Sequence, residues 1–243
     1  MLVRFARAAL LVLALAAGTT GVRADDLADF NTAAEAVAAQ NRVAIGYLRT
    51  GNADLASIAL DRTRTAWADF AKRFSGRRPE MFKGNEYYVV AVTDISTRLI
   101  TADMMLNSVR PEVAQQALSA VRDDFYKLRK SAGIVVLADC VYDSNKAMDT
   151  LMVYNDATLD LSKAETRTDI AGQATAYASV LDRCDGLANE AVRKDPDFRR
   201  LIDGAKASLT LIPKAVDTND AGLLHRVLIE LRSFDNLLAF RFG

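Results

Sequence analysis

Histidine is the scarcest chemically useful residue in this chain: of 243 residues only one, His225, is a histidine. A single histidine builds no multi-histidine zinc site, and no Cys-x-x-Cys stands by to complete one. Any Ser-His-Asp arrangement would have to use His225. That residue lies on the far side of its helix from the apolar stripe Leu224, Val227, Leu228, Leu231, Phe234 and Leu238, which predicts an exposed side chain. Phosphate-binding loops of the Gly-x-x-x-x-Gly-Lys type, dinucleotide fingerprints and calcium-loop spacings are missing. Beyond residue 24 the methionines are Met81, Met104, Met105, Met148 and Met152, two pairs and a singleton rather than a copper-binding tract. The acidic residues are scattered, and the adjacent Asp123 and Asp124 diverge on a helix instead of pairing. No metal site, catalytic residue or cofactor is expected from these patterns.

Prolines are few as well, four in all, and frequent Ala, Leu and Arg favour helix. No stretch alternates with period two for long enough to read as a strand. The one strongly apolar run is at the start. Arg4 and Arg7 precede the run Ala8 to Ala17, and Val22-Arg23-Ala24 offers small residues at the positions a signal peptidase reads. The expectation is a cleavable signal peptide over 1–24, export to the periplasm, and no transmembrane segment in the mature chain. With no cysteine near the cleavage point, a lipid anchor is not expected. Removing Arg4, Arg7 and Arg23 from 31 basic residues leaves 28 against 31 acidic ones, a net charge near −3. A chain without basic excess is a poor partner for nucleic acid.

Sliding the sequence by 110 residues superimposes its two halves without a gap. Thr65-Ala66-Trp67-Ala68 falls on Thr175-Ala176-Tyr177-Ala178, Arg73-Phe74 on Arg183-Cys184, and Asp29-Phe30 on Asp139-Cys140. Leu118, Val121, Arg122 and Leu128 fall on Leu228, Leu231, Arg232 and Leu238. The stripe Tyr88, Val92, Ile95, Leu99, Ala102, Leu106 recurs as Phe198, Ile202, Ala205, Leu209, Ile212, Val216, stepping by fours and threes along one helix face. The predicted fold is therefore all-α, a tandem duplication of an up-down-up-down four-helix bundle. Unit one spans 25–133, with helices near 28–50, 54–74, 85–107 and 111–131. Unit two spans 134–243, with helices near 136–157, 165–192, 196–216 and 219–240. Short connections make consecutive helices antiparallel neighbours.

The only cysteines are Cys140 and Cys184, and in an exported protein a disulfide between them is the default. They lie 44 residues apart about a midpoint at Ser162, inside the polar stretch that joins their helices, so an antiparallel hairpin sets them level. In the first unit Phe30 and Phe74 hold the matching positions. The connection between the second and third helices is basic in both units, and Arg77, Arg78 and Lys83, with Arg193 and Lys194, form a candidate anion contact, set against the plainer reading of solvated loops at helix C-termini.

A tandem four-helix pattern behind a signal peptide resembles, in architecture only, periplasmic bundles of the cytochrome c-prime and c556 type. That resemblance implies haem attached through Cys-x-x-Cys-His in the last helix. The matching region here, Leu223 to Phe242, has no cysteine, so covalent haem is excluded. The expected function is that of an exported, non-enzymatic bundle with a binding, adaptor or structural role toward a protein or small ligand. A haem- or metal-carrying protein, or an enzyme built on acidic or hydroxyl residues, are the alternatives.

Overall fold

The computed structural model describes residues 19–243, with side chains from Asp26 onward. The predicted signal segment therefore lies largely outside the described residues, and the predicted cleavage point after Ala24 falls on the first helix, whose backbone begins at Thr19. The described chain is all-α, and among the described residues no helix is long and apolar enough to cross a membrane. It divides into two compact units at Ala132 and Gly133.

The first unit contains α1 (Thr19–Arg49), α2 (Ala53–Phe74), a 3-10 turn (Glu80–Phe82), α3 (Tyr87–Asn107) and α4 (Pro111–Ser131). Each helix packs on the next, and α4 returns to α1, which closes a four-helix ring. Local chemistry sets the ends. Gly51 takes φ +74° in the turn after α1, and the Asn52 side chain accepts a hydrogen bond from the Leu55 N–H to cap α2. Pro111 opens α4, where its missing N–H leaves no bond unmade. The buried stripe Ala114, Leu118, Val121, Phe125, Leu128 of α4 steps by fours and threes into the core. That core is aromatic. Phe30 is fully buried among Phe70, Phe74 and Phe82, with ring centroids 5.4, 5.7 and 4.8 Å away, and Trp67 stacks on Phe70 at 4.9 Å.

The second unit contains α5 (Leu137–Leu151), a 3-10 turn (Met152–Tyr154), α6 (Ala164–Leu187), α7 (Glu190–Arg193), α8 (Pro196–Leu209), α9 (Leu211–Asp217) and α10 (Ala221–Phe242). The ring closes in the same order, α5 on α6, α6 on α8, α8 on α10 and α10 on α5. Here three expected helices differ. The helix expected to reach 157 stops at 151, because Asp156 and Asp160 fold the next segment into side-chain-capped turns. Asp156 accepts from both the N–H and the hydroxyl of Thr158, and Asp160 does the same for Ser162. Leu161, fully buried, anchors that segment in the core. The helix expected over 165–192 breaks at Ala188, where Asn189 caps a new turn by accepting from the Val192 N–H at 2.9 Å. The helix expected over 196–216 breaks at Thr210, three residues ahead of Pro213. A proline ring clashes with the carbonyl four residues back and supplies no N–H to it. The Thr210 N–H turns instead to the Ala207 carbonyl.

Positions 110 apart adopt the same local structure at the end of α3 and of α9. Val109 and Asn219 both have positive φ, +55° and +53°. The following amides, Arg110 and Asp220, both donate to the carbonyl five residues back at 2.8 Å. Asparagine tolerates this conformation and a β-branched residue does not. Val109 is 86% exposed, so its side chain gains little from packing. Val109→Asn is expected to stabilise the first unit by about 1 kcal/mol, seen as a higher urea midpoint. An unchanged or lower midpoint would mean the turn carries no strain.

Candidate functional site

Two features of the second unit stand out against their counterparts 110 residues earlier. The first is a buried polar cluster. Asp235 on α10 is 1% exposed and accepts hydrogen bonds from the Ser144 hydroxyl at 3.0 Å and the Asn145 side-chain amide at 2.7 Å. Arg232 reaches the same carboxylate at 3.5 Å and also holds Asp149 at 2.7 Å. The Tyr177 phenol on α6 is fully buried against this group without a well-directed hydrogen bond. Burial, then the Asp235 charge, push its pKa far above the ordinary phenol value. The first unit holds Ala34, Trp67 and Phe125 at the positions matching Ser144, Tyr177 and Asp235. Its own buried carboxylate, Asp124, sits one place earlier in the register and pairs with Arg98 on α3.

The second feature is a groove of about 450 Å³ between α6 and the broken pair α8 and α9. Ala171, Ala174 and Ala178 form one wall, and Leu209, Ile212 and Val216 the other. Asp182 and Lys206 meet at one end at 2.7 Å, and Asp217 marks the other. Lys206 is also 3.6 Å from Asp185, which Arg199 grips at 2.5 Å. The hydrogen bond from Arg199, with Lys206 nearby, holds the Asp185 carboxyl below the usual carboxylate range. The hydrogen bond to Asp182 holds the Lys206 ammonium above its usual range. The groove opens where the first unit is bridged. There Arg64 on α2 reaches Asp103 on α3 at 3.3 Å. The positions matching that pair are Ala174 and Pro213, both in the groove lining. At these positions the second unit therefore has no such inter-helix bridge, and Pro213 also breaks the helix.

Cys140 and Cys184 meet at disulfide distance with Cα atoms 5.3 Å apart, level on α5 and α6, and Phe30 and Phe74 touch edge to face at the matching place. Arg78 donates to the Asn85 carbonyl and lies over the Tyr88 ring, and Lys83 pairs with Glu80 at 3.5 Å. Arg193 donates to the Ala188 carbonyl at 2.7 Å, closing the broken end of α6, and Lys194 pairs with Glu190 at 2.5 Å. Arg77 is exposed. The basic residues around them are also matched to carboxylates, Arg73 to Asp29 at 3.0 Å and Arg183 to Asp143 at 2.6 Å. Of the five anion-contact candidates, Lys83 and Lys194 are thus paired with carboxylates, whereas Arg78 and Arg193 bond to backbone carbonyls.

His225 departs from expectation. It is half-buried, its Nδ1 is shielded from solvent and has no hydrogen-bond partner among the described residues, and Asp156 lies nearby. The physical reason is the early end of α5, which leaves a longer connection to lie beside the start of α10. Met148 is core, and Met152 packs against that core. Among the described residues no group of three or more His, Cys, Asp or Glu is placed to hold a metal ion.

Asp235 and the groove escaped sequence reasoning. The stripe on α10 is Leu224, Val227, Leu228, Leu231, Asp235, Leu238, so the aspartate takes the core position expected for Phe234. Phe234 instead lies over Gly204, where a Cβ would meet its ring at 2.8 Å. The signal was present in the offset, since Phe125 occupies the matching core position. Comparison with protein-family models, curated proteins and solved structures gives no match.

Proposed function

We propose that this chain is an exported, non-enzymatic binding protein whose ligand lies in the α6–α8–α9 groove of the second unit, and that the two units are tandem copies of which only the second has opened for binding. The observation that carries this reading is the groove itself, at the place where the first unit keeps its Arg64–Asp103 bridge. Its size suits a small molecule, and alanine and aliphatic side chains line most of it. The charged lining residues are Asp182, Asp217 and Lys206, an acidic balance. A ligand with an apolar body and a cationic head fits this better than a fatty carboxylate, because Lys206 is already paired with Asp182 and Asp217 carries the remaining charge. The N-terminal leader-like segment and the cysteine pair support export.

The test restores the bridge. In the full-length mature protein, Ala174→Arg with Pro213→Asp should close the groove. Decylammonium and decanoate, both below micelle-forming concentration, are titrated while the methyl resonances of Ala171, Ala174 and Ala178 are followed by NMR. The expected result is saturable shifts with decylammonium, at least about tenfold weaker binding of decanoate, and loss of the Ala171 and Ala178 shifts in the double variant. Equal responses to both head groups would overturn the cationic reading, and shifts that survive in the double variant would overturn the groove.

A further inference from the structure

The outer face of α3 is uncharged. Val89, Thr93, Thr97, Ile100 and Met104 are all exposed and fall within a quarter of the helix circumference, with Val90 at its margin. Val89, Val90, Ile100 and Met104 expose 56, 48, 57 and 57% of their surface. The matching positions on α8 and α9 read Arg199, Asp203, Ala207, Thr210 and Lys214, with Arg200 for Val90, an ordinary solvated face. The difference is confined to the first unit, and it sits on a helix whose opposite face is fully committed to the core through Tyr88, Ala91, Ile95, Leu99 and Ala102.

We infer that this face is a homodimer interface, in which α3 packs antiparallel on α3 of a second copy about a twofold axis near Thr97. The pattern is self-complementary. An antiparallel twofold passing between Ser96 and Thr97 sets Thr93 level with Ile100 of the second copy, and Val89 with Met104. Small residues thus oppose large ones, and a flexible thioether fills the space beside a valine. Helices can approach closely at the two threonines. Two stripes, each about 22 Å long at the helical rise, cover roughly 1,000 Å² when apposed, the lower end of specific interfaces. A weak, concentration-dependent dimer is the consequence. An unrelated protein partner would not require the sequence to match itself in reverse.

Sedimentation velocity over a concentration series tests this on the full mature chain. The wild type should be dimeric at tens of micromolar, and Ile100→Asp should weaken dimerisation at least about a hundredfold. Ile229→Asp, at a 48% exposed apolar position of the second unit, should leave dimerisation unchanged. Thr97→Cys should give a covalent dimer under mild oxidation, whereas Thr65→Cys, also exposed, should not. A wild type that stays monomeric throughout overturns the inference. So does a dimer that survives Ile100→Asp, or a Thr97→Cys protein that fails to cross-link while still dimerising.

Discussion

Asp235→Ala is expected to cost the second unit about 3–5 kcal/mol, because it leaves buried groups without their acceptor. Ser144 is fully buried and donates to Asp235, Asn145 donates to it at 2.7 Å, and Arg232 loses one of its two carboxylates. Tyr177 stays buried beside a hydroxyl that must find a new partner. Unfolding in urea by far-UV circular dichroism measures the loss. Trp67, the only tryptophan, sits in the first unit, so its fluorescence should be unmoved by the substitution. The first unit supplies a second comparison. Asp124→Ala should cost less, because the Arg98 side chain is 36% exposed and can turn its charge to water. Apolar replacement of the whole group distinguishes desolvation from packing. Asp235→Leu combined with Ser144→Ala, which approaches the Phe125 and Ala34 pattern, should recover much of the loss. A loss below about 1 kcal/mol for Asp235→Ala would mean that water enters freely and that the cluster is no buried network.

Periodicity made the helices legible, and single residues inside them decided everything the periodicity missed. The expected span of α4, 111–131, is the span observed, because Pro111 starts it and nothing in its stripe conflicts with the pattern. The third stripe of the second unit, Phe198 to Val216, is buried at every expected position, yet its helix is in two pieces. Burial follows the face, whereas continuity follows the backbone, and Pro213 acts on the backbone alone. A buried carboxylate is harder to foresee. Its cost is offset by Ser144 and Asn145, which lie some 90 residues away in sequence and become partners only after folding. The groove is a third kind of feature, written as two unremarkable residues, Ala174 and Pro213. They acquire meaning only beside Arg64 and Asp103, once the facing helices are known. The cysteine pair was readable for the opposite reason. Equal spacing from a turn is a property of any antiparallel hairpin, whatever its side chains, and the Phe30–Phe74 contact shows the same spacing at work.

Opening the Cys140–Cys184 link should produce the second large loss, confined to one unit. Closing a loop of about 45 residues lowers the entropy of the unfolded chain enough to stabilise the native unit by about 4 kcal/mol. Both sulfurs are fully buried, so reduction leaves two thiols in the core, where the Cys140 thiol can donate to the Val180 carbonyl 3.4 Å away. That bond offsets little of the loop entropy. The first unit holds the same place with an aromatic contact, worth about 0.5–1.5 kcal/mol beyond its buried area, and no covalent constraint. In the oxidised protein the first unit should therefore unfold at the lower urea concentration. Trp67 fluorescence reports it, and the second unit follows as a later transition in circular dichroism. The double replacement Cys140→Ala with Cys184→Ala should move only the later transition, bringing the two together or reversing their order. Phe30→Ala should move only the earlier one, by about 3–5 kcal/mol. Two free thiols on the denatured, unreduced protein would sink the disulfide outright. A double variant with both transitions unmoved would show that α5 and α6 are held level by packing, as α1 and α2 are.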